Sequence, residues 1–131
     1  MSKNKHKQQI FFFILAILWG ILIFYLSSTP DLSSGLPSVY DLVLRKIAHI
    51  FVFMILTYLI ASSFDKHSRP YLLFVIIAAV AYAFVDELHQ VFVETRSGNP
   101  KDIIIDSVGV YFGIWLYKHR PPNILFKKFI K

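Results

Sequence analysis

The sequence predicts an all-α membrane protein, a bundle of four transmembrane helices with both termini cytoplasmic. Three observations carry that prediction. First, 56% hydrophobic residues, 17% aromatics and a mean hydropathy of +0.56 make the 131-residue chain too apolar for a water-soluble domain of its size. Second, four apolar segments stand out: Ile10 to Leu26, Ile47 to Ser63, Tyr71 to Val85 with an amphipathic extension to about Val93, and Ile103 to Tyr117. With their polar or aromatic flanks, each approaches the roughly 17 to 25 residues that cross a hydrocarbon core as helix. Third, ten of the fourteen lysines and arginines flank one set of segment ends, including Lys3, Lys5, Lys7, Lys66, Arg69 and the tail from Lys118 to Lys131. Cations near helix ends stay cytoplasmic, which sets the orientation.

The first helix is expected over about residues 10–29. A basic segment precedes it, as in a signal peptide, but Phe11, Phe12, Phe13 and Trp19 make a long bulky core and Ser28-Thr29-Pro30 is a poor cleavage site, so it reads as a retained anchor. Pro30 stops this helix, and the outer loop Ser27 to Leu44 is rich in turn-forming Ser, Pro, Gly and Asp. The second helix covers about 44–64, followed by a tight basic turn from Asp65 to Pro70, where the proline suits a helix first turn. The third covers about 70–93. Ser97-Gly98-Asn99-Pro100 then makes a turn, and Asp102 is placed to cap the fourth helix, about 102–118. No repeat or composition break divides residues 1–131, which read as a single domain. The absence of cysteine excludes disulfides, thiolate metal sites and thiol nucleophiles. The basic excess fits orientation and anionic lipid, and no nucleic-acid partner is expected.

Helical spacing assigns faces, because residues three, four, seven and eleven apart lie together. Asp102, Asp106, Gly109 and Gly113 share a face of the fourth helix, and the Gly109 and Gly113 pair has the spacing that lets backbones approach closely in lipid. The third helix offers Ala79, Ala83, Asp86 and Gln90, the second Lys46, His49, Phe53 and Thr57, and the first Ala16, Gly20 and Ser27. Each stripe is small or apolar at one end and polar at the other. A bundle with a polar pocket opening outward follows.

Seven of the eight carboxylates lie at that outer end, most densely in Asp86-Glu87-Leu88-His89-Gln90. Ionisable groups at a membrane boundary are costly and mark function by default. The expected pocket holds Lys46, His49, Asp86, Glu87, His89, Gln90, Arg96, Asp102 and Asp106. His49 and His89, with Glu87 and Asp106, are the candidate acid/base groups, since imidazole titrates near neutral pH. Lys46 and Arg96, with Asp86, Gln90 and Asp102, are the candidate ligand-binding groups, because guanidinium clamps phosphate or carboxylate and lysine adds a point charge. The same residues could instead neutralise one another and hold the helices in register. Asp86, Glu87 and His89 with His49 or Asp106 could ligate zinc or manganese, but no dense ligand motif is present and Lys46 and Arg96 would oppose cation capture, so no metal and no cofactor is expected. Ser27 and Ser28 could in principle be nucleophiles, but the helix-ending turn with Pro30 accounts for them and no Gly-x-Ser-x-Gly elbow is present, so they rank second.

These residues, in their order and spacing, resemble the VanZ-like family of small bacterial membrane proteins. The resemblance runs from Ser27-Ser28-x-Pro30 through Lys46-x-x-His49 and Asp86-Glu87-x-His89-Gln90-x-Phe92-Val93-x-x-Arg96 to Asp102-x-x-x-Asp106-x-x-Gly109-x-x-x-Gly113. Two positions depart from the family pattern: Glu94-Thr95 stand where Pro-Gly is usual, and Asp106 where Asn is usual. The resemblance implies a protein of the bacterial cell membrane that lowers susceptibility to teicoplanin-type glycopeptides without supplying an altered wall precursor. Its expected partners are membrane lipids, a lipid-linked envelope precursor or the glycopeptide itself. Lipid-modifying enzyme, assembly protein and small permease are the competing classes.

Overall fold

The computed structural model describes residues 3–29, 35, 38–64, 70–94, 96, 98–120, 122 and 126. Those residues form four α-helices: α1, Lys3–Ser28; α2, Ser38–Ser63; α3, Tyr71–Gln90; and α4, Pro100–His119. There is no strand among them. The spans Asn4–Ser28, Ser38–Ser63 and Tyr71–Gln90 are long and apolar enough to cross a membrane. Pro30, Asp31, the turn 65–69, Thr95, Ser97 and the tail lysines 127, 128 and 131 lie outside the described residues.

Helix ends depart from the sequence expectation wherever polar residues sustain a helix that hydropathy alone would stop. α2 starts at Ser38, not near residue 44. Its first turns carry Asp41 and Arg45, whose 2.8 Å ion pair is one helical turn apart and supports the extra length. α1 likewise starts at Lys3, in the basic segment, not near residue 10. In contrast, α3 stops at Gln90, short of Val93. Beyond it the amides of Phe92 and Val93 bond to carbonyls three residues back, the tighter winding that ends a helix. Asp102 does not cap α4. Asn99 does, accepting from the Lys101 amide at 3.1 Å, because Pro100 takes the first helical position, where its missing N–H costs nothing.

α2 and α4 make the closest seam. A methyl group placed on Gly109 would run into the Ile50 carbonyl oxygen, and one on Gly113 would lie 2.6 Å from that of Met54. The stripe of Asp106, Gly109 and Gly113 is buried, as is that of Ala79, Ala83, Asp86 and Gln90 on α3. Two apolar clusters fill the bundle: Phe12, Tyr58, Ala61, Val75 and Tyr117 towards the termini, and Ile23, Phe53, Leu56 and Ala83 nearer the middle. Between helices, Tyr82 Oη donates to the Gly20 carbonyl at 2.6 Å and Trp19 Nε1 to that of Val52 at 2.9 Å. Outward-facing positions are apolar, among them Leu18, Ile21, Leu73, Ile77, Phe84 and Ile104. In lipid such faces cost nothing, and close backbone packing with satisfied polar groups holds the helices together. The end opposite the Tyr58 and Tyr117 cluster is left to polar side chains.

Candidate functional site

The polar corner has a shallow and a deep tier. In the shallow tier, Arg45 pairs with Asp41 along α2, and Lys46 reaches across to Asp102 of α4 at 2.7 Å. Arg96, on the connection between α3 and α4, donates from Nη2 to the Leu26 carbonyl at 3.1 Å and from Nε to that of Thr29 at 3.3 Å. Those bonds tie that connection to the end of α1. Burial, and then the neighbouring charge of Arg45, push the Arg96 pKa below its ordinary value. A guanidinium starts so high that it stays a cation.

The deep tier takes groups from three helices, one each from α2 and α4 and two carboxylates from α3. His49 of α2 meets Asp106 of α4, Nδ1 to Oδ1, at 3.0 Å. Glu87 of α3 accepts the Asn99 amide on Oε2 at 2.8 Å, and Asp86 accepts from Gln90 Nε2 at 2.9 Å. The Asn99 contact depends on Gly98, because a methyl group there would lie 2.6 Å from Val91 Cγ2 and against the Glu87 carbonyl. Asp86, Glu87 and Asp106 are 2%, 4% and 0% exposed, so all three carboxylates are withdrawn from solvent.

Two cavities open beside these groups. The larger, about 290 Å³, is walled by Arg45, Lys46, His49, Gln90, Arg96 and Asp102, with Ser38 and Asp41 at its edge. The smaller, about 90 Å³, runs between α1 and α2 past Ser27, His49, Asp86 and Arg96. Arg45, His49 and Arg96 line both. The larger volume sits at the bottom of the range for ligand pockets, which suits a head group better than a whole lipid. A third hollow of about 640 Å³ is an apolar groove between α1, α2 and α3 that shares no residue with either polar cavity.

The structure thus gathers Lys46, His49, Asp86, Glu87, Gln90, Arg96, Asp102 and Asp106 at one corner. His89 is the exception. It stacks on Phe24 with ring centres 4.4 Å apart and shares a 2.8 Å hydrogen bond with Ser28, joining α3 to α1 and lining neither polar cavity. Two positions beyond Glu87 means about 200° round the helix, which turns the ring to the far side. Arg45, Asp41, Ser38 and Ser27 join the walls in addition to the expected residues. The spacing of Asp41 and Arg45 is the sequence signal for the first two.

The segment that supplies this corner is also the segment that matches a known family model, VanZ/LLP1, over residues 11–126. The chain belongs to the VanZ/LLP1 family. Every residue of the corner falls within that match. The chain is also 28% identical, over 92% of its own length and 94% of the other's, to "Uncharacterized membrane protein YwnJ" of Bacillus subtilis (strain 168). No solved structure matches it significantly. Like that relative by its printed name, this VanZ/LLP1 chain is a membrane protein, with several apolar helices.

Proposed function

We propose that this VanZ/LLP1 protein binds the anionic head group of a membrane amphiphile in the cavity walled by Arg45, Lys46 and Arg96, at the extracytoplasmic face of the membrane. The observation that carries the reading is the state of Arg96. It lines both polar cavities and, among the described residues, has no carboxylate in ion-pair reach, whereas Arg45 and Lys46 are each matched by an aspartate. The wall of the larger cavity therefore carries a surplus of positive charge, which a phosphate or carboxylate would neutralise. Leu42 and Ile105 also line it, so an acyl chain could leave along apolar surface. Placement on the outer side follows from the basic residues that flank the other helix ends. Lipid head groups, lipid-linked wall precursors and lipid-tailed glycopeptides all meet at that leaflet. Lowered susceptibility to teicoplanin-type compounds would follow from occupancy of the cavity.

Native mass spectrometry of the detergent-purified protein with phosphatidylglycerol and phosphatidylcholine tests the binding. The expected outcome is retention of the anionic lipid over the zwitterionic one, weakened about tenfold, or about 1.4 kcal/mol, in Arg96→Ala. Arg96 also holds two α1 carbonyls, so Lys46→Met, which leaves those bonds intact, is measured beside it and should weaken the same preference. If both variants keep the wild-type preference, the cavity is not a head-group site.

A further inference from the structure

Beneath that cavity the hydrogen bonding of the deep tier does not close. Among the described residues, four buried side-chain atoms lack any partner: Thr57 Oγ1, Asp86 Oδ1, Glu87 Oε1 and Asp106 Oδ2. Three are carboxylate oxygens of this one corner, and in each carboxylate the other oxygen is satisfied, by Gln90, Asn99 and His49 respectively. The side chains are thus fixed in place with one acceptor each still open. A buried acceptor left unmatched is expensive, and a buried carboxylate with no countercharge more so.

Charge accounting points the same way. The cations at this end go to the shallow acids, Arg45 to Asp41 and Lys46 to Asp102, while Arg96 spends its bonds on backbone carbonyls. Among the described residues, only His49 forms an ion-pair contact with any of the three deep carboxylates. In the sequence, the lack of a dense ligand motif and repulsion by Lys46 and Arg96 weigh against a cation. In the fold Lys46 is paired with Asp102, and Arg96, though its charge reaches Asp86 and Glu87, makes no ion pair with them among the described residues.

We propose that His49, Glu87 and Asp106 ligate a divalent cation, with manganese or zinc as the class. Each of the three can offer one donor atom, and those atoms lie within 4.8 Å of one another. Ion binding needs a ring nitrogen of His49 free of its proton, so it would replace the 3.0 Å hydrogen bond between His49 Nδ1 and Asp106 Oδ1 wherever Nδ1 is the donor atom. One imidazole and two carboxylates is a mixed nitrogen and oxygen set, which suits zinc or manganese better than calcium. With one ligand from each of α2, α3 and α4, the ion staples three helices. Asp86, whose second oxygen also stays open, would add negative charge beside it. The ligand residues differ from the three cations invoked for the head group, so either proposal can fail without the other.

Metal analysis of the full chain in detergent tests the site, first as purified and then after EDTA treatment and dialysis against manganese or zinc. The expected result is about one ion per chain, with a thermal midpoint that falls on chelation and returns with the metal. Glu87→Gln should lose the ion and the response to chelator while still folding, because its amide oxygen can accept the Asn99 bond; His49→Ala should also lose both. Lys46→Met should retain the ion. Absence of metal from the wild type under both ions would overturn the proposal. So would Glu87→Gln that binds metal as the wild type does.

Discussion

At the scale of single residues, depth separates interactions that look alike. The side chains of Lys46 and Asp102 are 36% and 28% exposed, so solvent screens their 2.7 Å contact and it should behave as a surface pair, coupled by no more than about 1 kcal/mol. A double-mutant cycle of Lys46→Met and Asp102→Asn, read by reversible unfolding in detergent, is expected to return that value. Coupling near 3 kcal/mol would show instead that the cavity excludes water. The sequence places the members of such pairs on their own helices, since Lys46 and His49 share a face one turn apart, as do Asp102 and Asp106, but it does not show which meets which across the bundle. Spacing does not separate His89 from Glu87 so readily, because both sit in a five-residue run of chemically attractive side chains and only the rotation per residue tells which faces the bundle. Nor does residue type choose the α4 cap. Asn99 and Asp102 are both competent, and Pro100 between them is the deciding signal.

At the scale of elements, the α2 and α4 seam positions four residues of the corner, since His49 and Lys46 stand on one side of it and Asp106 and Asp102 on the other. Gly109 and Gly113 set the separation. Leucine at Gly109 would have to displace the Ile50 carbonyl and the Met54 amide, both backbone atoms, so the helices must part. Gly109→Leu is expected to cost more than about 2 kcal/mol and to lower the yield of monodisperse protein in size-exclusion chromatography. Gly20 provides the contrast within the same fold. The atoms nearest a methyl group there are those of the Tyr82 ring and hydroxyl, at 3.6 to 3.7 Å, which is ordinary contact. Gly20→Ala should therefore change the thermal midpoint little, with the better helix propensity of alanine on its side. The small-residue spacing on α4 is legible in the sequence, and so is its role. The extra turns of α1 and α2 are not, because a hydropathy reading ends a helix where charges begin, whereas pairs such as Asp41 and Arg45 carry it on.

At the scale of the whole molecule, α4 decides the topology. Among the described residues three helices are long and apolar enough for a membrane span, and α4 is less apolar on average because it carries Lys101, Asp102, Asp106 and Lys118. An average over all sides is the wrong quantity for a helix whose charges face inward or sit at its ends. Asp106 is fully buried against α2, Lys101 and Asp102 lie in the first turn, and Lys118 lies in the last. The outer surface between them is Ile104, Val108, Tyr111, Phe112 and Trp115, so lipid meets only apolar and aromatic groups. Twenty residues at 1.5 Å each give about 30 Å, the thickness of a hydrocarbon core. α4 should therefore cross, making an even number of spans and placing both termini on one side, with the basic residues choosing the cytoplasm. Fusions of a phosphatase that is active only outside the cytoplasm, or of a fluorescent protein that matures only inside it, distinguish the cases. Fluorescence from both the N-terminal and C-terminal fusions, with phosphatase activity from an insertion at Gly35, is the expected pattern. A C-terminal phosphatase fusion that is active would mean three crossings, and the corner formed by α2, α3 and α4 could then not lie at a membrane surface as described.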